Sequence, residues 1–271
     1  MEKKPHSPHF IFLLVITAAA STLVIACFHK NEFVPLEVRS EASYIREYNS
    51  DRFDPSRLVA STSKFVPSFH VEPEMQPSSL LREVKVYKDL IAKGTHARKV
   101  YRPMNPRYIT IHSTQNYASG ADAWRHSLAQ KNGKLRASKR VGGNRIGYLS
   151  WHYSVDQNVA VQHLPDNEQG EHADFNGPGN NYSIGVEMCE NAGNSRAATL
   201  DRTAKLIAYL MYKHKIPIEN VVAHYHWARK GLEVEHKNCP HFLMENGVPG
   251  RKWYAYKDTI QDYYDMITVK R

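Results

Sequence analysis

The chain has 271 residues, of which 42% are hydrophobic and 23% charged, a composition typical of a globular protein with one sizeable domain. Its formal net charge of +9 suits a nucleic acid, an anionic membrane or an acidic polymer such as a cell wall, and it equally suits a basic surface with no specific partner. The sequence contains no nucleic-acid-binding signature and no glycine-rich phosphate loop, so no nucleic-acid partner is expected.

The N-terminal segment, residues 1–27, is expected to stand outside the fold. A basic start precedes an uncharged run over 10–27, which suits either the apolar part of an export signal or a short membrane anchor. The run ends in VIAC, which resembles a bacterial lipoprotein box with Cys27 as the acylated residue. The sequence therefore predicts an exported protein tethered to the bacterial envelope, by a lipid on Cys27 or alternatively by an uncleaved anchor.

Residues 28–98 are expected to form a linker or stalk, with some of it able to pack on the domain. Scattered prolines, serines and mixed charges give this stretch no long periodic pattern. Its last part, 80–94, has an apolar pattern that favours a helix docked on the domain, with an amphipathic end to the linker as the alternative.

The domain itself, residues 99–271, alternates patterns of strands and helices. The predicted elements are strands over 108–112, 183–189 and 221–223, a hairpin over 151–164, and helices over 119–133, 199–215 and 253–267. In the first strand, Ile109 and Ile111 should face one side of the sheet and His112 the other. This order indicates the α/β class, with a central mixed β-sheet flanked by helices.

Metal-ligating side chains are concentrated near the end of the domain. The stretch 221–242 contains four histidines and one cysteine: His224, His226, His236, Cys239 and His241. A catalytic zinc takes three ligands from histidine, cysteine or carboxylate and keeps a fourth position open. His112 and His224 each end a predicted strand, and Cys239 follows in a loop that could fold back on them. Two alternatives stay open: ordinary polar histidines at strand ends, and a disulfide between Cys189 and Cys239.

Five motifs carry a resemblance to a known family. They are, in order, YITIHSTQN, SWHYSVD, VQHLPDNEQGEHA, GPGNNYSIGVEMCEN, and VVAHYHW followed by KNCPHF. Together they resemble the type-2 amidases, the zinc-dependent N-acetylmuramoyl-L-alanine amidases, and in particular the phage and Gram-positive autolysin branch. The resemblance implies a type-2 amidase-like fold and a peptidoglycan hydrolase. Such an enzyme uses a zinc-activated water to cleave the amide between the lactyl group of N-acetylmuramic acid and L-alanine of the stem peptide.

The same resemblance implies the ligands of one Zn²⁺ per chain: His112, His224 and Cys239. It also suggests Glu187 as the general base and Lys237 as the cation that stabilises the developing oxyanion. From the residues alone, a mid-strand carboxylate such as Glu187 must be exposed, paired or functional, so a salt bridge is the alternative. For Lys237 the alternative is solvated surface charge.

Four further residues are expected to bind substrate or shape its groove: His172, Trp151, His152 and His226. For His172 the alternative is a structural role, and for Trp151 and His152 it is packing beneath the groove. Trp151 stands where some members of the family have a tyrosine, so a tyrosine-based mechanism is not expected. For His226, support of His224 is the alternative role. His236 and His241 are expected to be bystanders.

The partners expected from the sequence are peptidoglycan or muropeptides, a membrane reached through the N-terminal segment, and no second subunit. Two other functions remain open. One is a peptidoglycan-binding module without catalysis, and the other is a zinc hydrolase of free muropeptides.

Overall fold

The structure is a computed structural model, and it describes residues 73–136 and 147–268. The helices are α1 (Pro77–Val84), α2 (Ala123–Lys131), α3 (Pro178–Tyr182), α4 (Arg196–His214) and α5 (Arg251–Met266). The strands are β1 (Val86–Lys88), β2 (Tyr108–Ser113), β3 (Tyr153–Val155), β4 (Ala160–Gln162), β5 (Ser183–Met188), β6 (Val221–Ala223), β7 (Met244–Glu245) and β8 (Val248–Pro249).

The predicted tether over 1–27 and the first part of the predicted linker lie outside the described residues. Within 73–136 and 147–268, no helix combines the length and the apolar composition needed to cross a membrane.

Six strands form one mixed sheet in the order β1-β4-β3-β5-β2-β6. The β3–β4 pair is antiparallel and the other neighbouring pairs are parallel. The hairpin expected over 151–164 is the β3–β4 pair. The expected α/β class, with a central mixed sheet flanked by helices, is confirmed.

The two faces of the sheet differ in chemistry. Ile109 and Ile111 of β2 pack with Ile184 and Val186 of β5 into the main core, to which α4 adds Leu206, Ile207 and Leu210. The helices α1 and α5 pack against α4 on this side. On the other face, His112 lies directly opposite Glu187 in the parallel register of β2 and β5. The alternation of these strands therefore buries the hydrophobic residues against α4 and gathers polar residues on the opposite face.

A buried carboxylate ties the hairpin region to α4. Asp166 accepts hydrogen bonds from the Tyr153 hydroxyl at 2.6 Å and from Lys213 Nζ and His214 Nε2 at 2.8 Å. Burial by itself raises the pKa of Asp166, but the bonds from His214 and Lys213 outweigh it and hold this pKa well below its usual value. The last turn of α4 is thus fixed to the sheet by charge as well as by packing.

The helix expected over 80–94 is confirmed only over 80–84, the first third of that stretch. The helix α1 ends at Val84 because Lys85 adopts a left-handed conformation with φ 57°. Val86–Lys88 then pairs in parallel with Ala160–Gln162 as an edge strand. These residues belong to the predicted linker over 28–98, and in the structure they pack on the domain and extend its sheet.

Candidate metal centre

A cavity of about 230 Å³ opens at the carboxyl ends of β2 and β5. Its polar lining includes His112, Glu187, His224, Arg229 and Lys237. Its apolar lining includes Leu149, Trp151, Phe175 and Leu232. Side chains that are far apart in sequence meet here because parallel strands end at the same edge of the sheet.

Three metal-ligating groups converge in this cavity. One donor atom each from His112, His224 and Cys239 lies within 4.8 Å of the other two. The three residues are almost completely buried, with exposures of 1%, 5% and 0%. The structure therefore brings together the three ligands that the sequence predicted.

Hydrogen bonds orient the two histidine rings. His112 Nε2 lies 3.0 Å from His172 Nδ1, and His224 Nε2 lies 3.1 Å from the Ala173 carbonyl oxygen. In both rings Nε2 makes this contact, so Nδ1 remains available to a ligand. The Nδ1 atom of His224 is buried and has no hydrogen-bond partner. A buried nitrogen that makes no hydrogen bond is costly unless a ligand uses it, so this atom fits a metal.

The third donor is held at the end of β2. The backbone N–H of Ser113 points at Cys239 Sγ across 3.4 Å, and the Tyr225 N–H donates to the Cys239 carbonyl oxygen. These contacts fold the loop after β6 back over the sheet, which places the thiol beside the histidines.

The protonation states suit a metal cation. Burial lowers the pKa of His112 and of His224 well below its usual value, so both rings are neutral and able to ligate at neutral pH. Burial raises the pKa of the Cys239 thiol to about 12, so a cation is needed to hold the thiolate. Two neutral imidazoles and a thiolate are a zinc-type donor set.

Glu187 and Lys237 lie in the same cavity. Glu187 Oε1 is 4.0 Å from His112 Nδ1, which is too far for a hydrogen bond, and Oε2 is buried without a partner. Burial raises the pKa of Glu187 to about 7, against the opposing effect of the Lys237 charge. Among the described residues no carboxylate forms an ion pair with Lys237. The one ion-pair contact of Glu187 among the described residues is this 4.0 Å approach to His112, whose ring is neutral, so no salt bridge neutralises the carboxylate there.

The four residues expected to contact substrate divide into two pairs. Trp151 and His172 line the cavity. His152 is fully buried beneath the sheet surface, where its Nδ1 accepts the Gly185 N–H at 2.9 Å. His226 is exposed and its ring packs against Trp227, outside this cavity. His152 and His226 therefore do not line this cavity, and the burial of His152 agrees with the alternative that it packs beneath the groove. Contact of either residue with substrate stays a prediction.

His172 is also more than a lining residue. Its ring bridges His112 and the Ser183 carbonyl oxygen, which lies 3.2 Å from Nε2. Gly185 makes room for this ring, because a Cβ at that position would come within 2.8 Å of it. The expected substrate residue is thus in contact with a candidate ligand of the metal.

The other donors near the site have separate partners. His236 Nδ1 donates to the Tyr225 carbonyl oxygen at 2.7 Å, and His241 contacts Ser113 Oγ at 3.2 Å. Cys189 and Cys239 are both free thiols, so the alternative of a disulfide between them is wrong.

Sequence reasoning missed Arg229 and the pair of Glu171 and Asn180, all of which line the cavity. A signal existed for Arg229, because it lies in the same short loop as two predicted ligands, His224 and Cys239. Glu171 directly precedes His172, but nothing in the pattern indicates which of the two faces the cavity.

A mixed α/β sheet with two histidines and a cysteine beside a carboxylate is typical of metal-dependent hydrolases. The family model described as N-acetylmuramoyl-L-alanine amidase matches residues 102–242. The chain belongs to this amidase family.

Curated relatives and solved structures support this membership. The chain is 40% identical over 175 residues to the N-acetylmuramoyl-L-alanine amidase XlyA of Bacillus subtilis (strain 168) and 38% identical over 165 residues to CwlH of the same organism. These matches cover 64% and 60% of this chain but only 50% and 58% of the relatives. The solved catalytic domain of XlyA matches with a TM-score of 0.54 at 38% identity, covering 65% of this chain and 99% of that one. A mutant endolysin from Bacillus subtilis gives the same TM-score at 37% identity and the same coverage.

Proposed function

We propose that this protein hydrolyses peptidoglycan at the amide bond between the lactyl group of N-acetylmuramic acid and L-alanine of the stem peptide. The observation that carries the proposal is the convergence of His112, His224 and Cys239 within 4.8 Å, in a chain of the amidase family. The relatives XlyA and CwlH are named for this same activity. The chain spans about half the length of those relatives. The activity in their names is therefore carried over to this chain as a proposal.

We propose that His112 Nδ1, His224 Nδ1 and Cys239 Sγ hold one zinc ion per chain. The unpartnered Nδ1 of His224 and the neutral state of both rings support this ligand set. When bound, zinc supplies a Lewis acid that polarises a carbonyl and lowers the pKa of a water molecule to about 7.

Glu187 is the proposed general base. Its carboxyl group lies beside the ligands with one oxygen free, and a pKa of about 7 lets it accept a proton near neutral pH and then return it. The proton accepted from the attacking water would pass to the alanine nitrogen as the amide bond breaks.

Lys237 is the proposed oxyanion stabiliser. Lys237 lines the cavity and its ammonium group has no ion-pair partner among the described residues, so it is available to the carbonyl oxygen of the substrate. A cation already in place stabilises the negative charge that develops there without reorganising. Trp151 contributes an apolar wall, because its indole N–H is already bonded to Ser154 Oγ at 2.8 Å.

The test is incubation of the purified protein with peptidoglycan sacculi, followed by labelling of new amines. Released stem peptides with a free L-alanine amine are expected from the wild type, and none from Cys239→Ala, which should also lose its zinc. Cys189→Ala is the matched control, because that buried thiol lies outside the cavity. Binding to sacculi without release of peptides would instead support the alternative of a non-catalytic peptidoglycan-binding module.

We also propose that the protein acts outside the cytoplasm as a monomer, tethered to an envelope membrane through residues 1–27. The uncharged run over 10–27 and the VIAC sequence support the export and the tether. Mass spectrometry of the protein isolated from cells should find a mature N-terminus at Cys27 with attached lipid. An intact Met1 would leave the uncleaved anchor as the form of the tether.

A further inference from the structure

Arg229 places a second cation in the cavity, apart from Lys237. Its Nη2 donates to the Val234 carbonyl oxygen at 2.9 Å, and its Nε lies 3.4 Å from the Glu235 carbonyl oxygen. Its backbone N–H donates to Glu235 as well. Backbone carbonyl groups of the loop between His224 and Cys239 therefore hold the guanidinium group in place.

The guanidinium group forms no ion pair with a carboxylate among the residues that the structure describes. Two carboxylates line the same cavity, Glu171 and Glu187, yet neither forms an ion pair with Arg229, and no other described carboxylate does. Glu171 is instead paired with Arg102 at 2.6 Å. Among the described residues, Nη1 of Arg229 makes no hydrogen bond, so this nitrogen of a cavity-lining arginine is available to a ligand.

Arg229 lies within electrostatic reach of the candidate metal ligands. Burial is the main cause that lowers the pKa of His224, and the charges of Lys237 and Arg229 lower it further. Burial also lowers the pKa of Arg229 itself, which marks a partly desolvated cation. An arginine that is partly desolvated and unpaired in a cavity wall is suited to bind a carboxylate through two parallel hydrogen bonds.

We propose that Arg229 binds the free α-carboxylate of the second residue of the stem peptide, so that the enzyme selects an anionic stem. This inference rests on the proposed function. A stem that begins L-alanyl-γ-D-glutamyl carries that carboxylate five bonds from the scissile amide nitrogen, a reach of roughly 6 Å. Lys237 and Arg229 then have separate tasks. Lys237 stabilises the reacting carbonyl oxygen, and Arg229 binds a carboxylate that takes no part in the reaction.

The experiment compares two muramoyl tripeptides with an amidated C-terminus that differ by one group: the γ-linked D-glutamyl residue carries a free α-carboxylate in one (the acid) and an α-carboxamide in the other (the amide). The wild type is expected to cleave the acid with a KM roughly tenfold to a hundredfold lower than that of the amide, because a charged hydrogen-bond pair forms only with the acid. Arg229→Ala should lose this preference by raising the KM of the acid, with little change in kcat.

Three further variants guard against a folding artefact. Arg229→Gln keeps a donor for the Val234 carbonyl oxygen but removes the charge, so it should fold, retain zinc and still lose the preference. Lys230→Ala removes an exposed neighbouring charge outside the cavity and should keep the preference. Arg229→Lys keeps the charge without the planar fork and should recover only part of it.

The outcomes separate this inference from the proposed function. Cleavage of both muropeptides at equal efficiency by the wild type would overturn the role of Arg229 and leave the amidase activity standing. So would an equal loss on both substrates in Arg229→Gln. Cleavage of neither muropeptide by the zinc-loaded wild type would overturn the proposed function and, with it, this inference.

Discussion

Replacing Glu187 by glutamine should make the metal-free protein more stable above neutral pH. Burial raises the pKa of this carboxyl group from 4.5 to about 7 in the folded chain. Only 14% of the side chain is exposed, so solvent screens the ionised form weakly. Ionisation of a group with a raised pKa opposes folding, because the unfolded chain gives up its proton more readily.

The size and sign of the effect follow from this shift. Between pH 4.5 and pH 7 the folded chain binds more protons at Glu187 than the unfolded chain, so stability falls as the pH rises. A shift of about 2.5 pKa units corresponds to about 3 kcal/mol, and the whole of it is present above pH 7. Below pH 4.5 both states are protonated, and the cost disappears.

The assay is urea denaturation of the wild type and Glu187→Gln, in the presence of a chelator, at pH 4 and at pH 8. The difference in free energy of unfolding should be near zero at pH 4 and about 3 kcal/mol in favour of the variant at pH 8. Glu233→Gln removes an exposed carboxylate from the neighbouring loop and should show no such change. A Glu187→Gln difference that is the same at both pH values would refute the reasoning.

Three further predictions test other parts of the site and the fold. His172→Phe should weaken zinc binding about tenfold to a hundredfold in chelator competition, because His112 loses its hydrogen-bond partner; unchanged affinity would show that His172 does not orient the ligand. Lys237→Ala should lower kcat on muropeptides by about a hundredfold with little effect on KM, and a change confined to KM would remove it from oxyanion stabilisation. Asp166→Ala should lower the free energy of unfolding by about 3–5 kcal/mol in urea, since its basic partners on α4 lose their counter-charge; an unchanged midpoint would contradict that role.

The ligand trio was predictable because its members have strong local signals. His112 and His224 each lie at the end of a short β-branched strand, and strand ends of a parallel sheet meet at one edge. Cys239 required in addition a loop that folds back onto the two histidines, and the family motifs led us to expect this loop. The α/β class was predictable for a similar reason, since the periodicities of strands and helices alternate clearly along 108–267.

The places of the other histidines were not predictable, because they depend on contacts between distant segments. His152 is buried because its ring takes backbone partners on two sides, Gly185 and Glu168. His226 follows the ligand by two residues, but a short 3₁₀ turn over His224–His226 directs it away from the cavity. No pattern in the sequence encodes either of these pairings.

The end of α1 was not predictable from the sequence, for a different reason. The stretch 80–94 has apolar spacing that suits a helix as far as Val84, and its continuation VYK also suits a strand. Pairing with β4 decides between the two, and that partner lies more than 70 residues away. Tertiary pairing therefore overrides the local preference.

The parallel register of β2 and β5 has a consequence for how the protein tolerates change. His112 and Glu187 face each other only because Ile109 stands opposite Ile184 three positions earlier. A slip of one residue between these strands would turn the candidate ligand and the candidate base onto opposite faces of the sheet. It would also drive isoleucines out of the core. An insertion in β2 or β5 should therefore cause misfolding before it causes a defect in catalysis. Insertions that leave the fold intact are expected only in the loops that follow these strands.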